Sequence, residues 1–319
     1  MNVVKTILPF TASLLFSGFF AGATMAADAP DVVVSIKPIH SLVAAIMDGV
    51  ATPDLIVDGA ASPHTYALKP SNAKALEAAK VVFWVGPGME AFLEKPLSAL
   101  GANALVVELD KAPGITKLKF REGGAFEAHD DGDEHAESTD HDHHDHDHEE
   151  FDTHLWLDPH NAKAMAAEIT TTLVAADPAN ALTYEANQKA LDDGLDALDA
   201  EITATLAPVK SKPFIVFHDA YQYFERRYGV RVAGSITVSP ESIPGAQRIS
   251  EIHGKVAELG ATCVFAEPQF EPKLVNVVLE GTSAKSGVLD PEAATLPQGP
   301  DLYFDLMRGI ANSLKTCLS

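Results

Sequence analysis

The chain has little positive charge. Its 319 residues include 23 Lys and Arg against 45 Asp and Glu, which gives a formal net charge of −22 at pH 7. Such a surface repels nucleic acids and anionic membranes at long range, so we expect no nucleic-acid partner and favour a cationic ligand. About half of the excess is local, because residues 127–150 contain twelve carboxylates and no Lys or Arg.

Long apolar segments are also lacking beyond the N-terminus. Residues 1–27 resemble an export signal: Lys5 supplies the positive charge, residues 7–23 are mostly apolar, and residues 24–27 form a small-residue cleavage site. The mature, exported chain is then expected to begin near Asp28. An uncleaved membrane anchor is the alternative, but the apolar stretch is shorter than the roughly 20 residues that a spanning helix needs, and Pro9 interrupts its start.

Cysteine is scarce, since only Cys263 and Cys317 are present. In a protein exported to an oxidising compartment, two cysteines favour a disulfide, with two free buried thiols as the alternative. Closing the loop between them contributes on the order of 4 kcal/mol when the effect is treated as lost entropy of the unfolded chain.

The length and the alternation of segments predict an α/β fold with two lobes, because a single core rarely grows beyond about 250 to 300 residues. Short β-branched runs alternate with helical segments in both halves, which is typical of mostly parallel sheets flanked by helices. The predicted strands are residues 32–36, 55–57, 81–85, 105–109, 214–217, 230–233, 263–266 and 287–289. The predicted helices between them are residues 39–47, 71–79, 90–100, 220–228, 245–259, 271–281 and 301–314.

One long helix is predicted to join the lobes. Residues 178–206 carry leucines and an isoleucine at mostly three- and four-residue spacing with no internal proline, the members being Leu182, Leu191, Leu195, Leu198, Ile202 and Leu206. At ~1.5 Å per residue the helix reaches about 40 Å, long enough to be a rigid connection between an N-terminal lobe, 28–177, and a C-terminal lobe, 207–319. An ordinary surface helix within one lobe is the alternative.

A histidine-rich segment, residues 122–150, has almost no apolar side chains and is expected to be disordered without metal. It carries seven of the thirteen histidines: His129, His135, His141, His143, His144, His146 and His148. Imidazoles beside carboxylates suit Zn²⁺, Cu²⁺ or Ni²⁺, so the segment is predicted to collect metal with low affinity. A solvated acidic linker explains the carboxylates but not the histidines.

Three other histidines follow predicted strands or open a helix, where α/β sheets present their ligands. His64 follows the strand at 55–57, His218 directly follows the strand at 214–217, and His154 precedes a helix for which Pro159 is a favourable first residue. Zn²⁺ prefers four ligands, so these three imidazoles with Asp290 or a water form a plausible set. Of the remaining histidines, His160 and His253 are predicted to lie on the surface, and His40 is a candidate auxiliary ligand.

Five motifs in order resemble the ZnuA family of periplasmic zinc-binding proteins, within the metal-specific binding proteins of ABC transporters. They are Gly59-Ala-Ala-Ser-Pro-His-Thr-Tyr-Ala-Leu-Lys-Pro-Ser, Val85-Gly-Pro-Gly-Met-Glu-Ala-Phe, His154-Leu-Trp-Leu-Asp-Pro, Val216-Phe-His-Asp-Ala-Tyr and Val264-Phe-Ala-Glu-Pro-Gln-Phe. The resemblance covers essentially the whole mature chain and includes the acidic histidine-rich segment.

The resemblance implies two lobes joined by a rigid helix, with the metal in the cleft and delivery to a membrane permease. We expect the protein to be a monomer. Carried onto this sequence, it implies His64 and His154 as ligands from the first lobe, His218 from the second, and a disulfide between Cys263 and Cys317. Manganese-binding relatives use an aspartate at the position of Asp290, and they place a carboxylate where this chain has His218.

The sequence departs from the family at one position, because some zinc-binding members have Glu immediately before the first histidine, where this chain has Pro63. The fourth ligand is then Asp290 or solvent. Three imidazoles and at most one carboxylate favour Zn²⁺ over Mn²⁺, which prefers oxygen ligands.

Two other functions stay open. A secreted zinc hydrolase needs a general base, for which Glu267 or Asp290 is a candidate, but the His-Glu-x-x-His spacing is absent. A metal buffer or chaperone uses mainly the histidine-rich segment. We therefore predict a non-enzymatic protein with Zn²⁺ as its ligand.

Overall fold

The computed structural model describes residue 1 and residues 29–121, 126, 151–237, 244–260 and 263–319. Apart from residue 1, the predicted export signal lies outside the described residues, as does the histidine-rich segment apart from Phe126, including all seven of its histidines. None of the helices within the described ranges is long and apolar enough to cross a membrane.

The first half of the chain forms a parallel four-stranded sheet. Its strands are β1 (Val32–Val34), β2 (Asp54–Leu55), β3 (Val81–Trp84) and β4 (Leu105–Glu108), in the order β2-β1-β3-β4. The helices are α1 (Lys37–Ile46), α2 (Pro70–Ala78), α3 (Glu94–Leu100) and α4 (Pro159–Ala176). The four strands predicted for this half are all present, and α4 begins at Pro159 with Asp158 as its N-cap, whose side chain accepts a hydrogen bond from the His160 N–H.

The long helix α5 (Ala181–Leu206) has 26 residues and follows a short 3₁₀ turn at Pro178–Asn180. At ~1.5 Å per residue it is about 39 Å long. It packs against α1 and α4 of the first half and, in the second half, against α6 (Gln222–Tyr228) and α9 (Leu302–Leu318). The predicted single helix in contact with both halves is therefore present, and the alternative of a surface helix within one lobe is wrong. The exact domain limits remain a prediction.

The second half repeats the architecture of the first. Its strands are β5 (Pro213–His218), β6 (Arg231–Thr237), β7 (Cys263–Ala266) and β8 (Lys285–Val288), again all parallel, in the order β6-β5-β7-β8. Besides α6 and α9 it contains α7 (Ala246–Leu259) and α8 (Lys273–Leu279). A disulfide joins Cys263 in β7 to Cys317 in α9, which confirms the predicted pairing.

The alternation of side chains along β5 explains how two apolar clusters form in the second half. Phe214 and Val216 face a large cluster that continues into the first half through α1, α4, α5 and α9, whereas Ile215 and Phe217 face a smaller cluster with Ile252 of α7. Successive side chains of a strand point to opposite faces of the sheet, so one strand serves both clusters. The larger cluster ties the two halves together.

Several element limits differ from the sequence prediction. The helix predicted at 90–100 is divided into a 3₁₀ turn, Ala91–Leu93, and α3. Strand β6 extends to Thr237, four residues beyond its predicted end, although Gly234 interrupts the apolar run. Pairing with the buried strand β5 supplies partners for the extra residues, and this tertiary contact outweighs the weak strand preference of glycine.

Candidate metal centre

His64 lies in a short 3₁₀ turn, Pro63–Thr65, in the connection that follows β2. The side chain of Ser62 caps this turn by accepting a hydrogen bond from the His64 N–H at 3.3 Å, and Pro63 is suited to the first position because it has no N–H to satisfy. The side chain of His64 is half-buried. The turn thus places this imidazole at the edge of the first sheet where the strands end.

His154 is held by the segment that leads into α4. The carboxylate of Asp152 accepts hydrogen bonds from the His154 N–H at 3.0 Å and from the His154 ring at Nδ1, 2.7 Å away. The second half holds the neighbouring residues, since Tyr223 donates its hydroxyl to the Asp152 carbonyl at 2.6 Å and the Trp156 indole donates to the Pro291 carbonyl at 2.8 Å. The backbone on both sides of His154 is therefore fixed by contacts between the two halves.

His218 is the last residue of β5, and Glu267 comes directly after β7. The strand that follows β5 in the chain, β6, lies on one side of it, and the next strand, β7, lies on the other side. Open α/β sheets form binding crevices at such a topological switch point. Both carboxylate oxygens of Glu267 lie 2.8 Å from His218 Nδ1. The second half thus presents one ring, oriented by one carboxylate.

The three rings converge. The Nε2 atom of His154 lies 3.4 Å from Nε2 of His64 and 3.2 Å from Nε2 of His218, and one nitrogen from each ring lies within 4.8 Å of the other two. Tetrahedral zinc with Zn–N bonds of about 2.0 to 2.1 Å requires its nitrogen ligands to be about 3.3 to 3.4 Å apart. Within the described ranges this is the one group of three or more His, Cys, Asp or Glu that could hold a metal ion.

Hydrogen bonds set the tautomers of two rings. Because Nδ1 of His154 donates to Asp152 and Nδ1 of His218 donates to Glu267, the neutral form of each ring leaves a lone pair on Nε2, the atom that faces the other rings. Nitrogen lone pairs at this spacing repel one another without a cation between them. The arrangement therefore favours a bound metal ion.

Burial keeps the site unprotonated at two of its three rings. It lowers the pKa of His64 and of His154 well below the usual 6.5, and the neighbouring imidazoles lower both further. Burial also lowers the pKa of His218, but the charge and hydrogen bond of Glu267 outweigh it and the net shift is upward. Burial raises the pKa of Asp152 to about 7. Neutral imidazoles are the form that binds metal.

The structure does not bring the carboxylate of Asp290 into the cluster of three rings. Its oxygens accept hydrogen bonds from the Gln269 side chain at 3.2 Å, the Ala294 N–H at 3.0 Å and the Thr295 N–H at 3.2 Å. In this arrangement Asp290 holds the turn that follows β8. Its role as a fourth ligand stays a prediction.

The other histidines outside the masked segment lie apart from the cluster. His40 is buried in α1, where its Nε2 donates to the Pro53 carbonyl at 3.0 Å, so it is not brought to the three rings as an auxiliary ligand would be. His160 is exposed, as predicted. His253 is half-buried, with Nε2 placed 2.8 Å from the Glu280 carbonyl, so its predicted surface position is only partly correct.

Sequence reasoning missed the two carboxylates that orient the rings. Asp152 was not singled out, although it lies two residues before His154, a spacing at which one aspartate oxygen reaches both the backbone and the ring of the histidine. Glu267 was considered only as the base of a hydrolase. Its position directly after β7 puts it on the sheet edge that carries His218, and its contact with that ring makes it unsuited to act as a free base.

Fold and site together define a two-lobe α/β protein with three imidazoles that can hold a metal ion. The chain belongs to the ZnuA family, described as "Zinc-uptake complex component A periplasmic", whose match covers residues 32–317. It is 58% identical over 327 residues to the high-affinity zinc uptake system protein ZnuA of Brucella suis, covering 97% of this chain and 98% of that protein.

Solved structures are similar over nearly the full chain. A crystal structure of ZnuA superposes with a TM-score of 0.75 at 29% identity, covering 92% of this chain and 100% of the other. A zinc-bound deletion mutant of ZnuA superposes with a TM-score of 0.72 at 28% identity, covering 92% and 99%. The family is one of zinc-uptake components, which confirms the prediction of a non-enzymatic protein and excludes the hydrolase.

Proposed function

We propose that this protein captures one Zn²⁺ in the periplasm through the imidazoles of His64, His154 and His218 and delivers it to the permease of a zinc ABC transporter. The single observation that supports the ligand set is that Nε2 of His154 lies 3.4 Å from Nε2 of His64 and 3.2 Å from Nε2 of His218, close to the nitrogen separation around tetrahedral zinc. Family membership supports zinc as the cargo. Asp290 or a water completes the coordination, and export through residues 1–27 is part of the proposal.

The position of the site between the halves suits capture and release. His64 and His154 belong to the N-terminal lobe, 28–177, and His218 belongs to the C-terminal lobe, 207–319, so a bound ion contacts both. A movement of one lobe relative to the other changes the number of nitrogen atoms that bind the ion, and this changes the affinity for zinc. In this proposal the protein acts as a monomer, and the permease induces release.

Zinc stoichiometry and affinity of single-histidine variants test the ligand set. His64→Ala, His154→Ala and His218→Ala are each expected to lower the affinity of the tight site at least about 100-fold, because losing a ligand costs more than losing its outer hydrogen-bond partner. His253→Ala, a histidine of the C-terminal lobe outside the cluster, is the matched control and is expected to keep wild-type affinity. Unchanged affinity in any of the three cluster variants contradicts the proposal.

Deletion of residues 127–150 separates cleft capture from buffering by the histidine-rich segment. We expect the shortened protein to keep one tightly bound zinc ion per chain, because the three converging imidazoles lie outside the deleted segment. Competition with a chelator of known zinc affinity measures this ion without interference from weaker sites. A shortened protein that has lost all tight binding supports the buffer function instead.

A further inference from the structure

The metal centre has an excess of negative charge that three neutral imidazoles do not explain. The rings of His154 and His218 are only 5% and 2% exposed, so an ion bound to them is largely removed from water. A dication in such a place needs compensating charge, since leaving a buried charge unpaired costs several kcal/mol. Neutral imidazole supplies nitrogen ligands but no charge.

Two carboxylates next to the rings supply that charge. Asp152 is 0% exposed and Glu267 is 3% exposed, and each lies within 2.8 Å of Nδ1 of one ligand ring. Throughout the described part of the chain, no Lys or Arg forms an ion pair with either of them, and Arg121 acts on Asp152 only through its charge at longer range. The nearby carboxylate of Asp219 differs, because Arg121 already pairs with it and donates from Nε at 3.0 Å.

We propose that Asp152 and Glu267, one from each half, are positioning residues that also set the metal specificity of the site, selecting divalent ions over monovalent ones such as Cu⁺. This inference rests on the proposed function of the three-histidine centre. Two negative charges balance a bound M²⁺ and overcompensate a bound M⁺.

The three imidazole ligands do not select Zn²⁺ by themselves, so the site needs a further source of specificity. Imidazole suits copper as well as zinc, so three converging nitrogens do not by themselves exclude Cu⁺. Coulomb energy is proportional to the charge of the ion, so a carboxylate at a fixed distance stabilises M²⁺ twice as strongly as M⁺. Outer carboxylates of histidine ligands typically contribute about 10- to 100-fold to metal affinity. For a monovalent ion, half of that free energy corresponds to about 3- to 10-fold.

Neutral amide substitutions test the inference in the full-length mature protein. Asp152→Asn and Glu267→Gln each keep an oxygen that can accept the hydrogen bond from Nδ1 but remove the charge. Affinities for Zn²⁺ and, under anaerobic reducing conditions, for Cu⁺ are measured by competition with chromophoric chelators. Each variant is expected to bind Zn²⁺ about 10- to 100-fold more weakly and Cu⁺ only about 3- to 10-fold more weakly, so that the zinc-to-copper preference falls about 3- to 10-fold.

Two controls separate charge from structure. Glu90→Gln makes the same carboxyl-to-amide change at an equally buried residue beyond β3 that contacts no ligand ring, and it is expected to change neither affinity. Glu267→Asp keeps the charge but shortens the side chain, and it is expected to retain the zinc-to-copper preference even if both affinities fall. If Asp152→Asn does not fold, Glu267→Gln and Glu267→Asp decide the outcome.

If the affinities for Zn²⁺ and Cu⁺ fall by the same factor, the carboxylates only orient the rings. If the affinity for Zn²⁺ is unchanged, the carboxylates neither orient the rings nor set the metal specificity. Both results overturn the inference while leaving the three-histidine site intact. By contrast, failure of the wild-type protein to bind zinc tightly refutes the proposed function itself.

Discussion

The two halves of the molecule use the same strand order for different purposes. In the first half, the switch point between β1 and β3 holds Glu90, which accepts hydrogen bonds from Ser35 Oγ at 2.5 Å, Gly86 N–H at 3.1 Å and Val85 N–H at 3.2 Å. In the second half, the same point between β5 and β7 holds Glu267, whose partner is the ring of His218. Ser35 follows β1, whereas β5 ends at His218, so the buried carboxylate holds a loop in the first half and orients a ring in the second.

The halves also differ in how they are held together. The first half contributes two of the three imidazoles and contains no cysteine, whereas the second half contributes one imidazole and is crosslinked by its disulfide. Cys317 lies in α9, which packs on α5 and α1, so the crosslink attaches β7 to a helix that contacts both halves. The disulfide therefore restrains a helix that forms part of the interface between the two halves.

The largest expected effect on stability comes from removing that crosslink. Cys263→Ala/Cys317→Ala is expected to lower the free energy of unfolding by about 4 kcal/mol, because a disulfide with a sequence separation of 54 restricts the unfolded chain. Denaturant unfolding of the metal-free protein measures the loss. As a control, a reductant is expected to destabilise the wild-type protein by a similar amount and to leave the double variant unchanged. A double variant as stable as the wild type contradicts the assigned role.

A smaller effect, which depends on pH, is expected at the switch point of the first half. Burial raises the pKa of Glu90 from 4.5 to about 7 in the folded protein. Between these values the folded state keeps a proton that the unfolded state releases, so the stabilising contribution is complete below pH 4.5 and is lost as the pH rises toward 7. The loss amounts to about 3 kcal/mol.

Glu90→Gln removes this titration and isolates its contribution. The wild-type protein is expected to lose about 3 kcal/mol more than the variant between pH 4.5 and pH 8. Urea unfolding of both metal-free proteins at the two pH values gives the difference. Parallel stability curves for the two proteins would show that Glu90 does not carry the proton.

The smallest effect is expected for an exposed leucine in the helix that joins the halves. Leu182 belongs to the predicted apolar stripe of α5 but is 82% exposed, whereas Leu195 in the same helix is 0% exposed. We expect Leu182→Ala to change the free energy of unfolding by less than about 0.5 kcal/mol. Leu195→Ala, the matched variant, is expected to cost about 2 to 5 kcal/mol because it leaves a cavity in the core shared by both halves. Similar losses in the two variants contradict the observed orientation of α5.

Much of the fold is predictable because local patterns and tertiary packing agree. All eight strands lie at or next to the predicted segments, and in the central strands of both sheets the apolar residues are buried on both faces and read as short apolar runs. Leu182 is the exception in α5, because it lies nine residues before Leu191 and therefore about half a turn away from the face that the other members share, where Tyr184 is buried instead. The end of β6 was missed for a related reason, since its last residues depend on pairing with β5.

The three histidines could be predicted individually, because each follows a strand or precedes a helix at a sheet edge where ligands bind. Their mutual spacing could not. His64 and His218 are 154 positions apart in the chain, and only packing of the two halves against α5 determines how closely their rings approach. The partners of the rings were equally hidden, because Glu267 reaches His218 across neighbouring strands rather than along the sequence.

By itself, the sequence determined the residue types that suit a cation, the alternation that produces two parallel sheets, and the helix between them. Composition and periodicity are properties of local sequence, so they can be read without knowledge of the fold. Tertiary structure alone decided that Asp152 and Glu267 orient two rings, that Asp290 holds a turn, and that His40 lies elsewhere. These outcomes depend on distances of about 3 Å between distant segments, which only the packed chain defines.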